Sequence, residues 1–213
     1  VIVGCGRLAG IITNAVVKGM LPDYELVGVY SRTASKAEHI ANKMRQHGKM
    51  CAACHTLKEL LELKPDYLVE SASPAAMKEL ALPTLENGTS IITLSIGALA
   101  DTSFYEKVKE TAKANDTRVY LVSGATGGFD VLRTTSLMGN ATARFFNEKG
   151  PDALKGTSVY KEELQQERRI VFSGNATEAI NVFPTKVNVS VAASLASVGP
   201  DNMQVSIQST PGF

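Results

Sequence analysis

The sequence predicts an α/β protein in which a doubly wound parallel sheet is followed by a second, α+β domain. Short apolar, β-branched segments alternate with segments of helical periodicity over residues 1–123, which is typical of successive βαβ units. A glycine-rich loop directly follows the first apolar segment, and a glycine cluster at 124–128 ends the alternation. The 213 residues can bury two modest cores without disulfides. We therefore expect one domain over 1–122 and a second over 123–213.

The strands of the first domain are predicted from nearly continuous apolar segments, which is the pattern of a sheet covered on both faces. These segments are 1–3, 25–30, 50–54, 67–71, 90–95 and 118–123. The first of them begins at Val1, as if partway through a strand, so we expect the natural chain to start earlier.

Helix starts are predicted where a hydroxyl side chain lies three residues before a glutamate, because each side chain can then accept from a backbone N–H of the other's turn. Ser35 with Glu38 and Thr56 with Glu59 have this spacing. Ser73 precedes a proline, which is favoured in the first turn because no N–H is needed there.

The second domain mixes strands and helices without the earlier alternation. Strands are predicted at 141–146, 169–172 and 203–208, a helix of small residues at 189–197, and a polar loop at 147–156.

Charge and composition exclude several classes of partner. Lys and Arg number 22 against 21 Asp and Glu, and no basic stripe is present, so we expect no nucleic-acid binding. Apolar segments are much shorter than the roughly 20 residues of a membrane span. Three cysteines are too few for a disulfide framework, which favours a cytoplasmic protein.

A GxGxxA motif formed by Gly4, Gly6 and Ala9 follows the first strand and opens a helix. This context is typical of the dinucleotide-binding Rossmann fold, where glycines permit a tight turn and close approach of a pyrophosphate. A chance match is the alternative. The cofactor-binding residues expected in this loop are Gly4, Cys5, Gly6, Arg7 and Leu8.

The end of the second strand indicates which nicotinamide cofactor binds. NAD sites usually place an Asp or Glu there for the ribose hydroxyls, whereas this chain has Ser31 and Arg32. A hydroxyl and a guanidinium suit a 2′-phosphate, so we expect NADP, with NAD also accepted. The alternative is that Arg32 is a solvated loop residue.

Cys51, Cys54 and His55 match the CxxCH pattern of haem attachment. The pattern lies on a predicted strand of the nucleotide-binding sheet, so we expect the cysteines to be buried small side chains and predict no metal. His39 and His47, on or just past the second helix, are expected to face solvent.

Four motifs carry a resemblance to a known family: ESAS at 70–73, LSIGALAD at 94–101, VSGATGGFD at 122–130 and FPTKVNVSVAASLASVG at 183–199. With them the chain resembles the L-aspartate dehydrogenase family over its whole length. The resemblance implies interconversion of L-aspartate with oxaloacetate and ammonia through iminosuccinate, feeding NAD biosynthesis, in a homodimer.

The resemblance also implies further site residues. Ala72 and Ser73 lie where the fourth strand ends, beside the position at which open α/β sheets bind ligands. By the family pattern, Ala125 and Asn188 contact the cofactor. The alternatives are that Ala125 belongs to a glycine hinge and that Asn188 caps the following helix.

A dicarboxylate substrate needs cationic partners, and the candidates in the second domain are Lys149, Lys186 and Arg133, with a solvated surface as the alternative. The family's general acid and base is a histidine expected beyond Phe213, so no catalytic residue is assigned within this chain and the natural chain is expected to continue.

Competing interpretations stay open. A dihydrodipicolinate reductase or a sugar oxidoreductase would share the nucleotide domain, but the paired histidines of the former are absent, and Glu70 is followed by Ser71 and Ala72 rather than by the Lys-Pro of the latter. A catalytically silent NADP-binding regulatory module is an alternative of another class. A haem carrier would rest on CAACH alone.

Overall fold

The computed structural model describes residues 1–124, 126–184 and 186–213. They form two compact units, of which the first comprises 1–98 and 102–122 and the second comprises 99–101 and 123–213. The roles expected of the two domains, cofactor binding for the first and substrate binding with dimerisation for the second, stay predictions.

A parallel sheet of six strands lies at the centre of the first unit. The strands are β1 (Ile2–Val3), β2 (Gly28–Tyr30), β3 (Ala52–Cys54), β4 (Tyr67–Glu70), β5 (Ser90–Thr93) and β6 (Val119–Leu121). Their order is β3-β2-β1-β4-β5-β6, so the chain moves outward from β1 in one direction and then in the other. The predicted doubly wound parallel sheet is therefore confirmed.

The strands are shorter than the apolar segments that predicted them. β2 covers 28–30 rather than 25–30, because its ladder partners are limited to Ile2 and Val3 of β1 and to residues 52–54 of β3. Apolar residues outside the ladder still enter the core, and Leu26 is buried there.

Five α-helices connect these strands: α1 (Arg7–Val17), α2 (Ala34–Gln46), α3 (Leu57–Glu62), α4 (Pro74–Glu86) and α5 (Thr102–Ala114). Their inner faces contribute buried side chains such as Val16, Ile40, Leu80 and Val108. Burial of one face of each helix and of the strand side chains between them accounts for the apolar sequence of the strands.

Two of the three predicted helix starts are confirmed. The Ser73 hydroxyl accepts from the Ala76 N–H at 3.2 Å ahead of α4. The Thr56 hydroxyl accepts from the Glu59 N–H at 3.1 Å, although the Glu59 carboxylate returns to the His55 N–H, at 2.8 Å, one residue earlier than predicted.

The predicted start at Ser35 is wrong. The residue that precedes α2 is Thr33, and its side chain makes no capping hydrogen bond. The Glu38 carboxylate instead pairs with Arg45, two turns further along the helix, at 3.1 Å. Because its carboxylate is engaged in this ion pair, Glu38 does not form the capping interaction at the start of α2 that the spacing predicted.

The second unit contains a mixed sheet of three strands, β7 (Arg144–Lys149), β8 (Arg169–Asn175) and β9 (Gln204–Ser209). β9 lies between the other two, parallel to β7 and antiparallel to β8. Three helices, α6 (Phe129–Leu137), α7 (Ala176–Val182) and α8 (Asn188–Leu195), accompany the sheet in the described part of this unit. Phe183, Met203 and Ile207 are among its fully buried side chains.

The polar loop predicted at 147–156 is partly wrong. Asn147 and Lys149 continue β7, where they pair with Ile207 and Ser209 of β9. Both positions lie on the face of the sheet that carries buried Val205 and Ile207, and the side chains of Asn147 and Lys149 are half-buried there. Pro151–Leu154 then forms a 3₁₀ turn.

Within the described residues, no helix combines the length and the apolar character that crossing a bilayer requires.

Candidate functional site

A cavity of about 320 Å³ lies at the carboxyl ends of β2, β1 and β4. These three strands are neighbours, and the strand order reverses between β1 and β4, which is where open α/β sheets bind ligands. Its lining comes from the ends of these strands and the segments after them, and comprises Val3, Gly4, Cys5, Gly6, Tyr30, Ser31, Arg32, Thr33, Lys36, Leu57, Ser71, Ala72, Ala76, Glu79 and Leu80.

Gly4 is required by the backbone at the floor of this cavity. Its φ is +91°, a conformation that side chains disfavour. A Cβ at this position would lie 2.7 Å from the backbone of Ala72, which cannot rotate away. The Gly4 N–H donates to the Tyr30 carbonyl at 2.9 Å, and its carbonyl accepts from the Ser71 hydroxyl at 2.8 Å. Gly4 therefore holds three strand ends close together.

Gly6 is open to the cavity. A Cβ built on it would meet no heavy atom within 4 Å, so space exists for a ligand to approach its backbone. Gly6 precedes α1, contributes no capping side chain, and the first turn of the helix holds no acidic residue. The positive end of the helix dipole is thus available to an anion.

The other residues predicted in the loop lie in different positions. Cys5 lines the cavity and is buried, and its thiol donates to the Tyr30 carbonyl at 3.6 Å. Burial raises the pKa of the Cys5 thiol to about 11, so it stays protonated. Arg7 and Leu8 are exposed in the first turn of α1 and are not among the cavity-lining residues.

The β2 end of the cavity is cationic. Ser31 and Arg32, both predicted from the sequence as cofactor-binding residues, line it together with Thr33. Lys36 also lines it, although sequence reasoning missed this residue. Arg32 precedes α2, so helical spacing does not pair it with Lys36, and no local signal in the sequence marked Lys36 as a cavity residue.

The β4 end of the cavity is formed by the turn at 71–73. Ala72 is exposed and lines the cavity. Ser73 does not line it and serves instead as the residue that caps α4. The structure therefore brings one of these two predicted residues into the cavity.

Two predicted cofactor contacts belong to the second unit. Ala125 lies outside the described residues. Asn188 is half-buried and is the first residue of α8, while Val187 occupies the capping position. The alternative interpretation of Asn188 as a helix cap is therefore wrong.

The candidate cations of the second unit differ in their surroundings. Arg133 is exposed on α6, whereas Lys149 is half-buried at the end of β7. Burial lowers the pKa of Lys149, and the nearby charge of Lys186 lowers it further. The Lys186 ammonium itself donates to the carbonyls of Ala153 and of Lys155, to the latter at 3.1 Å.

The CxxCH residues form no open site. Cys51 and Cys54 are buried and make no disulfide, and burial raises the pKa of both thiols, that of Cys51 to about 11. This agrees with their interpretation as small buried side chains. His55 is exposed, as are His39 and His47.

A larger cavity, of about 560 Å³, lies at the opposite edge of the sheet, where β1 and β4 begin. Its walls are mainly apolar and include Val1, Leu21, Leu63 and Tyr67. It lacks the glycine turn and the free helix end that a dinucleotide needs, so the smaller cavity is the candidate cofactor site.

Two family models match the chain one after the other. Residues 4–122 match the NAD-binding domain of homoserine dehydrogenase, and residues 130–213 match the C-terminal domain of aspartate dehydrogenase.

Individual proteins show the same similarity. The chain is 32% identical over 208 residues to an L-aspartate dehydrogenase of Methanococcus maripaludis strain C6, covering 96% of this chain and 76% of that relative. Identity to the L-aspartate dehydrogenase of Methanocaldococcus jannaschii is 34% over 204 residues, which is 93% of this chain and 74% of the relative.

Solved structures show the same architecture. The crystal structure of aspartate dehydrogenase from Thermotoga maritima superposes with a TM-score of 0.73 at 26% identity, covering 100% of this chain and 78% of that one. The WlbA dehydrogenase of Bordetella pertussis, solved with NADH and UDP-GlcNAcA, shares the fold alone, with a TM-score of 0.56 at 13% identity over 97% of this chain and 70% of that one.

Proposed function

Because this chain belongs to the L-aspartate dehydrogenase family, we propose that it interconverts L-aspartate with oxaloacetate and ammonia through iminosuccinate. Members of the family are NAD(P)-dependent oxidoreductases that act on a CH–NH₂ donor, and this chain is one of them. One observation carries the choice of substrate: the similarity to L-aspartate dehydrogenases extends over both units and not only over the nucleotide-binding sheet.

The reaction balances in two steps. The Cα–H bond of aspartate breaks and its electron pair leaves as hydride, while the amine loses a proton and becomes the imine of iminosuccinate. Water then adds to the imine carbon, ammonia leaves, and oxaloacetate forms. The nicotinamide cofactor, when bound, supplies the acceptor for the hydride.

The residues of the first unit fit such a cofactor. Gly4 holds the loop in the required turn, and Gly6 leaves space beside the positive end of α1 for the pyrophosphate. Gly4, Cys5 and Gly6 line the cavity, and we propose that Arg7 and Leu8, exposed in the first turn of α1, contact the cofactor outside it.

We further propose a preference for NADP over NAD. Arg32 and Lys36 line the same end of the cavity, and Ser31 adds a hydroxyl between them and β2. Two cations and a hydroxyl suit a 2′-phosphate, which an acidic residue at this position would repel.

Lys149 is the cation that we propose for a carboxylate of the substrate. An ammonium that is half-buried beside a second lysine is favoured by binding of an anion. Arg133 and Lys186 are weaker candidates, because Arg133 is exposed and Lys186 already donates to two carbonyls.

Consumption of NADPH in the presence of oxaloacetate and ammonium tests the proposal. We expect consumption to require both co-substrates and to be slower with NADH at equal concentration. Parallel assays of this chain and of a chain continued past Phe213 test the expectation that a histidine there is the general acid and base, whose loss typically lowers rates about 10²- to 10⁴-fold. Binding of NADPH without consumption in either chain would instead favour the silent NADP-binding module.

A further inference from the structure

A buried carboxylate lies directly behind the candidate cofactor cavity. Glu70, the last residue of β4, is 0% exposed, and its two oxygens accept five hydrogen bonds. Oε1 accepts from the N–H groups of Ala72 and Ser73, at 2.8 and 3.0 Å, and from the Ser95 hydroxyl at 3.0 Å. Oε2 accepts from the Thr93 hydroxyl at 2.8 Å and from the Ser95 N–H at 3.1 Å. A buried carboxylate is tolerated only when it is satisfied in this way.

These donors come from two separate segments of the chain. Ala72 and Ser73 belong to the turn after β4, whereas Thr93 and Ser95 lie at the end of β5 and just after it. One side chain therefore ties together the turns that follow two neighbouring strands. The turn after β4 is the one that lines the cavity.

The same turn also contacts the glycine loop. The Ser71 hydroxyl donates to the Gly4 carbonyl at 2.8 Å, and the Ala72 backbone occupies the space that a Cβ on Gly4 would need. A shift of the turn would therefore alter the shape of the cavity on its β4 side. Glu70 holds the turn by two of its backbone N–H groups.

The strand order assigns the two ends of the cavity to different parts of a dinucleotide. The cations Arg32 and Lys36 lie at the β2 end, and the helix dipole of α1 lies in the middle, after β1. With a 2′-phosphate at the cations and the pyrophosphate at α1, the remaining half of the cofactor extends towards β4. The turn at 71–73 borders that half.

We propose that Glu70 is a positioning residue for the nicotinamide half of the cofactor, acting through the turn at 71–73. This inference rests on the proposed function of the cavity as a nicotinamide-cofactor site. Glu70 itself does not line the cavity, so its effect is exerted through the turn and not by contact.

A carboxylate is the side chain that this arrangement requires. Each oxygen of Glu70 accepts from at least one backbone N–H. Oε1 accepts from Ala72 and Ser73, and Oε2 accepts from Ser95. A glutamine side chain has one oxygen and one NH₂ group. In Glu70→Gln, whichever way the amide is turned, its NH₂ group therefore points at a backbone N–H, and two donors face each other. Hydroxyl partners can rotate to accept, but backbone N–H groups cannot.

The test compares the binding of NADPH with the binding of adenosine 2′,5′-bisphosphate, which contains only the adenosine half. For Glu70→Gln we expect the Kd of NADPH to rise about tenfold or more, because a buried N–H is left unsatisfied and the turn moves. The Kd of the adenosine fragment is expected to change less than about twofold, since its contacts lie at β2. Amide hydrogen exchange at Ala72, Ser73 and Ser95 is expected to accelerate.

Thr89→Ala is the matched control for a purely structural effect. Thr89 is fully buried just before β5, and its hydroxyl donates to the Pro65 carbonyl at 2.8 Å, at the edge of the sheet opposite the turn at 71–73. This variant is expected to lower the melting temperature without changing the ratio of the two Kd values. An equal rise of both Kd values in Glu70→Gln, or a change in melting temperature alone, would overturn the inference.

Thr93→Val keeps the inference testable if Glu70→Gln does not fold. It removes one hydroxyl donor and leaves the carboxylate in place, so we expect a rise of about threefold in the Kd of NADPH and none for the fragment. No selective rise in this variant would also overturn the inference. If the unchanged protein binds neither NADPH nor NADH, the proposed function itself fails, which is a different result from loss of the selectivity.

Discussion

Gly6 provides a direct test of the cofactor cavity at the scale of one residue. A side chain at this position meets no protein atom within 4 Å, and its φ of −92° suits any residue. Gly6→Ala is therefore expected to change the free energy of unfolding by at most about 1 kcal/mol, the cost of a weaker helix cap. The Kd of NADPH, measured by calorimetry, is expected to rise at least about tenfold, because the methyl group occupies space needed by the pyrophosphate.

Gly10→Ala is the matched control for Gly6→Ala. Gly10 lies inside α1, and a methyl group there would likewise meet no heavy atom within 4 Å. Alanine at this position is expected to stabilise the helix by up to about 1 kcal/mol and to leave the Kd of NADPH unchanged. Equal Kd values for the Gly6 variant and the unchanged protein would contradict a pyrophosphate site in this loop.

The proposed preference for NADP depends on two side chains, Arg32 and Lys36. Arg32→Ala and Lys36→Ala are each expected to raise the KM for NADPH about tenfold or more, since a charge-assisted hydrogen bond to phosphate is lost. The KM for NADH should change little. Arg45→Ala removes the same charge from the far end of α2, where Arg45 pairs with Glu38, and should affect neither cofactor. A similar rise for NADH in the Arg32 variant would show that the residue does not read the 2′-phosphate.

Lys149 combines a cost in stability with a proposed role in binding. Its folded pKa is lowered, so the unfolded chain binds the proton more tightly and the stability of the fold rises with pH between the lowered value and the usual 10.5. Lys149→Met is expected to remove this pH dependence and to preserve or raise the melting temperature at pH 7. The KM for oxaloacetate is expected to rise about tenfold.

The pH dependence of the KM provides a second check on Lys149. The ammonium is lost as pH rises through the lowered pKa, so the KM for oxaloacetate should increase at a lower pH than an ordinary lysine would cause. Lys155→Met is the control, because Lys155 is exposed and paired with Asp152 at 2.8 Å. An unchanged KM in the Lys149 variant would remove this residue from the substrate site.

At the scale of single elements, two positions with the same sequence pattern differ in the structure. The Thr56 hydroxyl caps a helix, whereas Ser35 lies inside one. Thr56→Ala is expected to lower the free energy of unfolding by about 1 kcal/mol, because the Glu59 N–H loses its acceptor. Ser35→Ala has the same sequence context but lies inside α2, so we expect a change within about 0.5 kcal/mol. Urea denaturation measures both. A loss of equal size at Ser35 would mean that its hydroxyl caps the helix in solution.

At the scale of the whole molecule, we propose that the three-stranded sheet offers a surface for the homodimer that the family resemblance implies. Phe146 and Ile170 are exposed by 56% and 58%. Ladder pairing places Phe146 opposite Ser206 and Ile170 opposite Gln208, so both side chains lie on one face, opposite to buried Val205 and Ile207. A sheet face that combines exposed apolar side chains with polar neighbours suits pairing with a second copy of the chain.

Phe146→Asp tests this surface by sedimentation equilibrium. A charge at the centre of the face is expected to convert dimers into monomers at micromolar concentration, because an unpaired buried charge is costly. Leu137→Asp, at an exposed position of α6, introduces the same charge elsewhere and should leave the mass unchanged. If the unchanged protein sediments as a monomer, the homodimer proposal is wrong.

Local sequence was sufficient to predict the alternation of strands and helices, the glycine turn and the start of α4. The residues responsible are close together in the chain: Gly4 and Gly6 follow β1 directly, and Ser73 stands next to Pro74. Backbone preferences and helix capping act over one to four residues, so a single segment contains the information. The similarity motifs then identified the family, and the relatives confirm it.

Only the tertiary structure decided which distant residues meet. Lys36 joins the cavity because β2 and β4 lie on either side of β1, and Glu70 reaches Ser95 because β5 pairs with β4. Lys149 belongs to a strand because Ser209, sixty residues later, is its ladder partner. Burial, charge and hydrogen-bond partners depend on chain segments that are far apart in sequence, and periodicity within one segment does not record them.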